Sequence, residues 1–133
     1  MATTNSASAY QSQAVQTANQ PQLLVMLFDR MAVDIARAEL AIEASNFEAA
    51  NETLQHAQQI VRLLSNSLDP DGFNGGHDLL SVYIFLEKHL IKANIEKSVT
   101  LVRECADLVR PIHEAWRRAV SANERANAIS HVG

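Results

Sequence analysis

The chain has 133 residues, of which 47% are hydrophobic and 20% charged, with a formal net charge of −4. That length and composition fit one domain with a buried core and exclude a disordered chain, while the acidic balance lacks the basic excess of a nucleic-acid binder. The single cysteine, Cys105, excludes an internal disulfide, a four-cysteine zinc site and c-type haem attachment. Residues 1–20 carry no charge and, after Met1, only two large apolar side chains, Tyr10 and Val15, so they cannot form a core alone and are expected to be a flexible N-terminal segment. No Lys or Arg precedes Arg30, so no secretory signal is expected. The longest apolar run, Leu23 to Phe28, is far below the roughly 20 residues of a membrane span, which predicts a cytoplasmic chain without membrane insertion.

Four helices are predicted after that segment, and no period-two run of β-branched residues suggests a strand. The first starts at Pro21, a residue suited to a first helical turn, and runs to about Ala44 with the stripe Leu24, Phe28, Met31, Ile35, Ala38, Ile42. Ser45-Asn46-Phe47-Glu48 reads as a capping box for the second, which continues to about Leu68 through Phe47, Ala50, Leu54, Ala57, Val61 and Leu64. Gly72, Gly75 and Gly76 then form the one strong turn cluster. The third helix spans about Gly76 to Ala93 with Leu79, Tyr83, Leu86 and Leu90, and Asn94 is expected to end it in the left-handed conformation. Ser98 caps the fourth, which reaches about Ser121 with Val99, Val102, Ala106, Val109, Trp116 and Val120, and Pro111 is expected to bend it. The tail, 122–133, is polar and expected to fray.

The three-four spacing and the short connections predict an all-α, antiparallel up-down-up-down four-helix bundle over residues 21–121, with an irregular N-terminal segment. Two helices carry more apolar surface than such a bundle needs. Met26, Val33 and Leu40 line the first helix opposite its core stripe. The third is apolar nearly all round, with Leu80, Ile84 and Ile91 on one flank and Val82 and Phe85 on the other. Either the spare residues fill gaps between helices, or a second copy, the N-terminal segment or a partner covers them.

Chemistry is sparse. No Glu is followed three residues later by His, and His-Glu-x-x-His is absent, so no metal or other cofactor is predicted. His89-Leu90-Ile91-Lys92-Ala93 resembles the His-x-x-Lys-Gly box of histidine phosphotransfer bundles, with Ala93 in place of the Gly. His56, His77, His113 and His131 lack partners at ligand spacing and are expected to be solvated or capping, Cys105 to be a small buried hydrophobe, and Trp116 to belong to the core.

Taken in order, Ala9-Tyr10-Gln11, Val15-Gln16-Thr17-Ala18, Leu23-Leu24-Val25-Met26-Leu27-Phe28-Asp29, Ala41-Ile42-Glu43, Ala57-Gln58-Gln59-Ile60-Val61, Leu68-Asp69, Gly75-Gly76, Tyr83, Leu90, Ala93-Asn94 and Ala115-Trp116 resemble the flagellin export chaperones of the FliS family. The departures are Gln20 where the family usually has Pro, which comes one residue later as Pro21, and Arg30 where Gly is common. The resemblance implies a cytoplasmic chaperone rather than an enzyme. Such a protein binds the C-terminal segment of flagellin one-to-one, prevents its polymerisation and delivers it to a component of the export gate. On that reading Met26, Val33, Leu40, Leu80, Ile84 and Ile91 contribute the client surface, and Tyr10 belongs to a lid that yields to the client. The alternatives are a phosphotransfer bundle using His89 and a self-associating bundle, forming a homodimer with no client.

Overall fold

The computed structural model describes residues 20–132, and side-chain surroundings for 21–128; Tyr10 and the rest of the N-terminal segment lie outside the described residues. Four α-helices follow in order: α1 (Gln20–Glu43), α2 (Phe47–Ser67), α3 (Gly76–Glu96) and α4 (Val99–Val132). Short connections make successive helices antiparallel, and each packs on its chain neighbours while α1 and α4 close the ring. The cyclic order α1–α2–α3–α4 places α1 and α3 on one diagonal and α2 and α4 on the other. The α3–α4 seam is the sparsest of the four.

The predicted stripes form the core. Phe28, Met31, Ile35, Ala38 and Ile42 are buried from α1, Ala50, Leu54, Ala57, Val61 and Leu64 from α2, Tyr83, Leu86 and Leu90 from α3, and Val102, Cys105 and Val109 from α4. Each large apolar side chain among them contributes about 1.5–3 kcal/mol by leaving water. Phe47, expected in the α2 stripe, is instead half-exposed at the first turn, and Ile60 takes up core space beside Val61.

The helix ends differ from expectation for one shared reason. Ser45 (φ 58°) and Lys97 (φ 49°) are left-handed. Each closes a Schellman motif, with Asn46 N–H donating to the Ala41 carbonyl at 2.7 Å and Ser98 N–H to the Ala93 carbonyl at 3.2 Å. Ser45 is therefore spent on ending α1. The N-cap of α2 moves to Asn46, whose Oδ1 accepts from Ala49 N–H at 3.2 Å. Asn94, predicted to end α3, remains helical; its side chain donates to Asn51 Oδ1 at 2.8 Å across the α2–α3 seam, and Lys97 Nζ caps the Asn94 carbonyl at 2.6 Å. Ser98 caps α4 as expected, its hydroxyl accepting from Leu101 N–H at 3.2 Å.

α4 continues through Pro111 and past Ser121 to Val132, because its alanine-rich end contains neither glycine nor proline to stop it. It has 34 residues, about 51 Å at 1.5 Å per residue, against 24 in α1. Residues 121–128 are all exposed.

Three of the four seams carry a histidine–carboxylate bond: His56 with Asp34 between α1 and α2, His113 with Asp29 between α1 and α4, and His89 with Glu104 between α3 and α4. The α2–α3 seam has Arg62 on Glu87 at 3.2 Å besides the asparagine pair.

Candidate functional site

Most of the side chains predicted to be surplus are exposed; Leu80 and Val82 are half-buried. Met26 and Leu40 are each 65% exposed, and Val33 stands between them on the same outward line of α1. Seven-residue spacing places these three about 10 Å apart along the helix. On α3, Ile84 and Ile91 are exposed on the flank turned toward α2, whereas Leu80 is half-buried. The structure thus brings Met26, Val33 and Leu40 into one ridge and Ile84 and Ile91 into another. It does not bring the two ridges together, because α1 and α3 are diagonal.

Sequence reasoning missed further apolar surface. Ile95, 78% exposed, prolongs the α3 ridge; Phe85, already marked as surplus by the sequence, is exposed on the opposite flank of the same helix. Helical periodicity marked Phe85 as apolar surplus, but nothing in the sequence says how far the capping of α3 is postponed, which is what puts Ile95 on a helix at all.

Beside the α1 ridge lies a groove of about 530 Å³ between α1 and α4, lined by Ala32, Ile35, Ala36, Leu40, Val109 and His113, with Glu39, Arg110 and Arg117 at its edge. It exists because Ala32, Ala36 and Ala106 are too small to fill the seam where the two helices meet. Of the predicted client residues only Leu40 lines it. Its floor is apolar and its edge charged, the arrangement of a helix-accepting groove.

The polar end of this groove is ordered by Asp29. Its Oδ1 accepts from His113 Nε2 at 2.5 Å and from Arg117 at 3.0 Å. Burial pushes the Asp29 carboxyl up, but the hydrogen bonds and charges of Arg117 and His113 outweigh it and hold the group below its ordinary value of 3.8. The His113 ring stacks on Phe28, centroids 6.0 Å apart. His113 is therefore a buried helix-to-helix contact and not the solvated residue its spacing suggested. His56 stays half-exposed, but it too has a partner: it bonds to Asp34, whose carboxylate is 1% exposed and also meets Arg30 at 3.4 Å. Neither pairing shows in the sequence, because the partners lie 84 and 22 residues apart.

The phosphotransfer alternative fails on geometry. A phosphoacceptor imidazole needs a free, solvent-facing nitrogen, but His89 stacks on Phe85 at 5.2 Å, and its Nε2 lies 2.6 Å from Glu104 Oε2. A carboxylate there would repel an incoming phosphoryl group. Cys105 is buried as expected, and Trp116 packs half-buried against the core. Among the described residues no group of three or more His, Cys, Asp or Glu side chains could hold a metal ion, and no helix is long and apolar enough to cross a membrane.

Comparison with known proteins agrees with this architecture. The family model described as flagellar protein FliS matches residues 3–123. The flagellar secretion chaperone FliS of Bacillus subtilis is 29% identical over 125 residues, covering 94% of this chain and 93% of its own. That of Escherichia coli is 31% identical over 109 residues, 80% of each chain, and that of Salmonella typhimurium 30% over 110 residues, 79% of each. A solved structure described as a flagellar chaperone from bacteria superposes with a TM-score of 0.72 at 14% identity, covering 90% of this chain and 98% of the other, a likeness of fold. With a family match across nearly its whole length and the same helical bundle, the chain belongs to the FliS family.

Proposed function

We propose that the chain is a cytoplasmic export chaperone without catalytic activity, which binds the C-terminal segment of flagellin one-to-one, prevents its premature polymerisation and delivers it to the flagellar type III export apparatus. The single observation that carries this reading beyond family membership is the uncovered Met26–Val33–Leu40 ridge beside the α1–α4 groove. A monomeric bundle gains nothing from three large apolar side chains in water, whereas an amphipathic client helix can bury them. Ile84 and Ile91 supply a second apolar line, with Leu80 at its half-buried start. Because the two lines lie on diagonal helices, a client that covers both wraps around the bundle. Such a client orders on binding, and that entropic cost keeps the complex releasable at the export gate. Tyr10, by family resemblance, belongs to a lid displaced by the client.

Co-purification tests the reading. Intact flagellin from the same organism is expected to be retained in a one-to-one complex, and flagellin lacking its C-terminal segment is expected to be lost. Equal retention of both, or a stable homodimer of the chain that excludes flagellin, would overturn it.

A further inference from the structure

Beyond Pro111 the attachment of α4 to the bundle is thin. Pro111 has no N–H to give the Asp107 carbonyl, so the two halves of α4 are joined through one fewer helical hydrogen bond and can pivot there. From 112 to 128, the only buried side chain is that of His113; Ile112, Trp116 and Val120 are half-buried and the others exposed. The bonds from His113 and Arg117 to Asp29 are thus the polar fastening of this half of α4 to α1. The groove straddles the same point. Ala106, Val109 and Arg110 line it before the proline, and His113 and Arg117 line it after.

We propose that Asp29, His113 and Arg117 are positioning residues for client binding: they latch the distal half of α4 onto α1 and so set the width of the α1–α4 groove. The inference rests on the reading of that groove as a client site. Asp29 is suited to the task because one carboxylate oxygen receives two donors from successive turns of α4, one from a buried imidazole fixed by stacking on Phe28. Charge-assisted bonds of this kind are shorter and stronger than neutral ones. Opening the latch removes the stacking partner of Phe28 but leaves the core side chains of α2 and α3, Leu54, Val61, Leu64, Tyr83, Leu86 and Leu90, untouched by the latch residues.

The test is calorimetric titration of intact flagellin into variants of the full chain. Asp29→Ala is expected to weaken binding about tenfold, the scale set by losing hydrogen bonds to a charged group. Asp29→Asn, whose amide oxygen still accepts from His113 and Arg117, is expected to keep most of the affinity. Pro111→Ala restores the missing helical donor and is expected to recover affinity in the Asp29→Ala background. Arg62→Ala, which breaks the α2–α3 pair with Glu87, is the control for a general loss of stability and is expected to bind as the parent does. Equal weakening by Arg62→Ala and Asp29→Ala, or no recovery by Pro111→Ala, would overturn the latch. Spin labels at Arg37 and Glu114 read the seam without client: Asp29→Ala is expected to broaden their distance distribution, and an unchanged distribution would overturn the latch while leaving the chaperone reading intact. Failure of the parent chain to bind flagellin would instead sink the chaperone reading, and the positioning role with it.

Discussion

Val33 on α1 and Ile84 on α3 project from diagonal corners of the bundle, so no straight segment covers both. Each replaced by Asp puts a charge where a client methyl group would be buried. Val33→Asp and Ile84→Asp are each expected to weaken flagellin binding at least about tenfold, from about 1.5–3 kcal/mol of lost apolar burial. Because the sites share no partner, the double variant should show the product of the two losses. Circular dichroism must show unchanged helix content in both; loss of helix would place the residues in the core. One single variant binding as the parent chain does, with the double no weaker than the other single, would mean that the client uses one ridge only.

Asp29 ties acid sensitivity to the α1–α4 seam. Its folded carboxyl titrates below its ordinary value of 3.8 because Arg117 and His113 outweigh burial. The stabilisation is thus fully present above the unfolded value and is lost as pH falls through the folded one. Melting temperatures measured between pH 7 and pH 2 should fall more steeply below pH 4 in the parent chain than in Asp29→Asn. Parallel curves would show that the carboxylate is not coupled to folding.

Cys105 is expected to be silent toward thiol reagents. Burial pushes its thiol up to about 12, and the neighbouring Glu104 carboxylate pushes the same way. At pH 8 the folded chain then holds roughly one thiolate in ten thousand. Reaction with a chromogenic disulfide should be slow in buffer and immediate in denaturant. Fast reaction of the folded chain would mean that the α4 face carrying Cys105 opens readily.

The turn before α3 depends on a missing side chain. A Cβ on Gly76 would stand 2.2 Å from the Pro70 carbonyl oxygen, a backbone atom that cannot swing away. Gly76→Ala should cost about 1–3 kcal/mol in urea denaturation. Gly72→Ala meets first the movable Asp69 carboxylate at 2.9 Å, with the Asp69 carbonyl oxygen farther off at 3.3 Å, and should cost less. Equal costs would show that the loop shifts as a unit.

The core was legible because it repeats. Phe28, Met31, Ile35, Ala38 and Ile42 follow one helical period, and burial of that stripe is the dominant local energy. The ridge at Met26, Val33 and Leu40 was legible for the converse reason, as the apolar residues left over. The helix ends were read less well. Ser45 is a good N-cap by type, but the preceding helix needed it as a left-handed terminator, and one residue cannot do both. Lys97 was invisible as a terminator because lysine seldom adopts that conformation. The α1–α4 groove and its Asp29–His113 fastening depend on which helices become neighbours, a property of the closed ring rather than of any local stretch.

The three histidine–carboxylate bonds have a consequence for helix pairing. Bonds of this kind near a surface add little strength. In a bundle assembled in another order, the buried Asp34 carboxylate would keep Arg30 of its own helix but lose the imidazole of His56, and a buried carboxylate short of a partner carries a penalty. Asp29 and Glu104 would lose their mates as well. These side chains therefore act as a key: they reject the mirror-like alternatives that grease alone, indifferent to who its neighbour is, would tolerate.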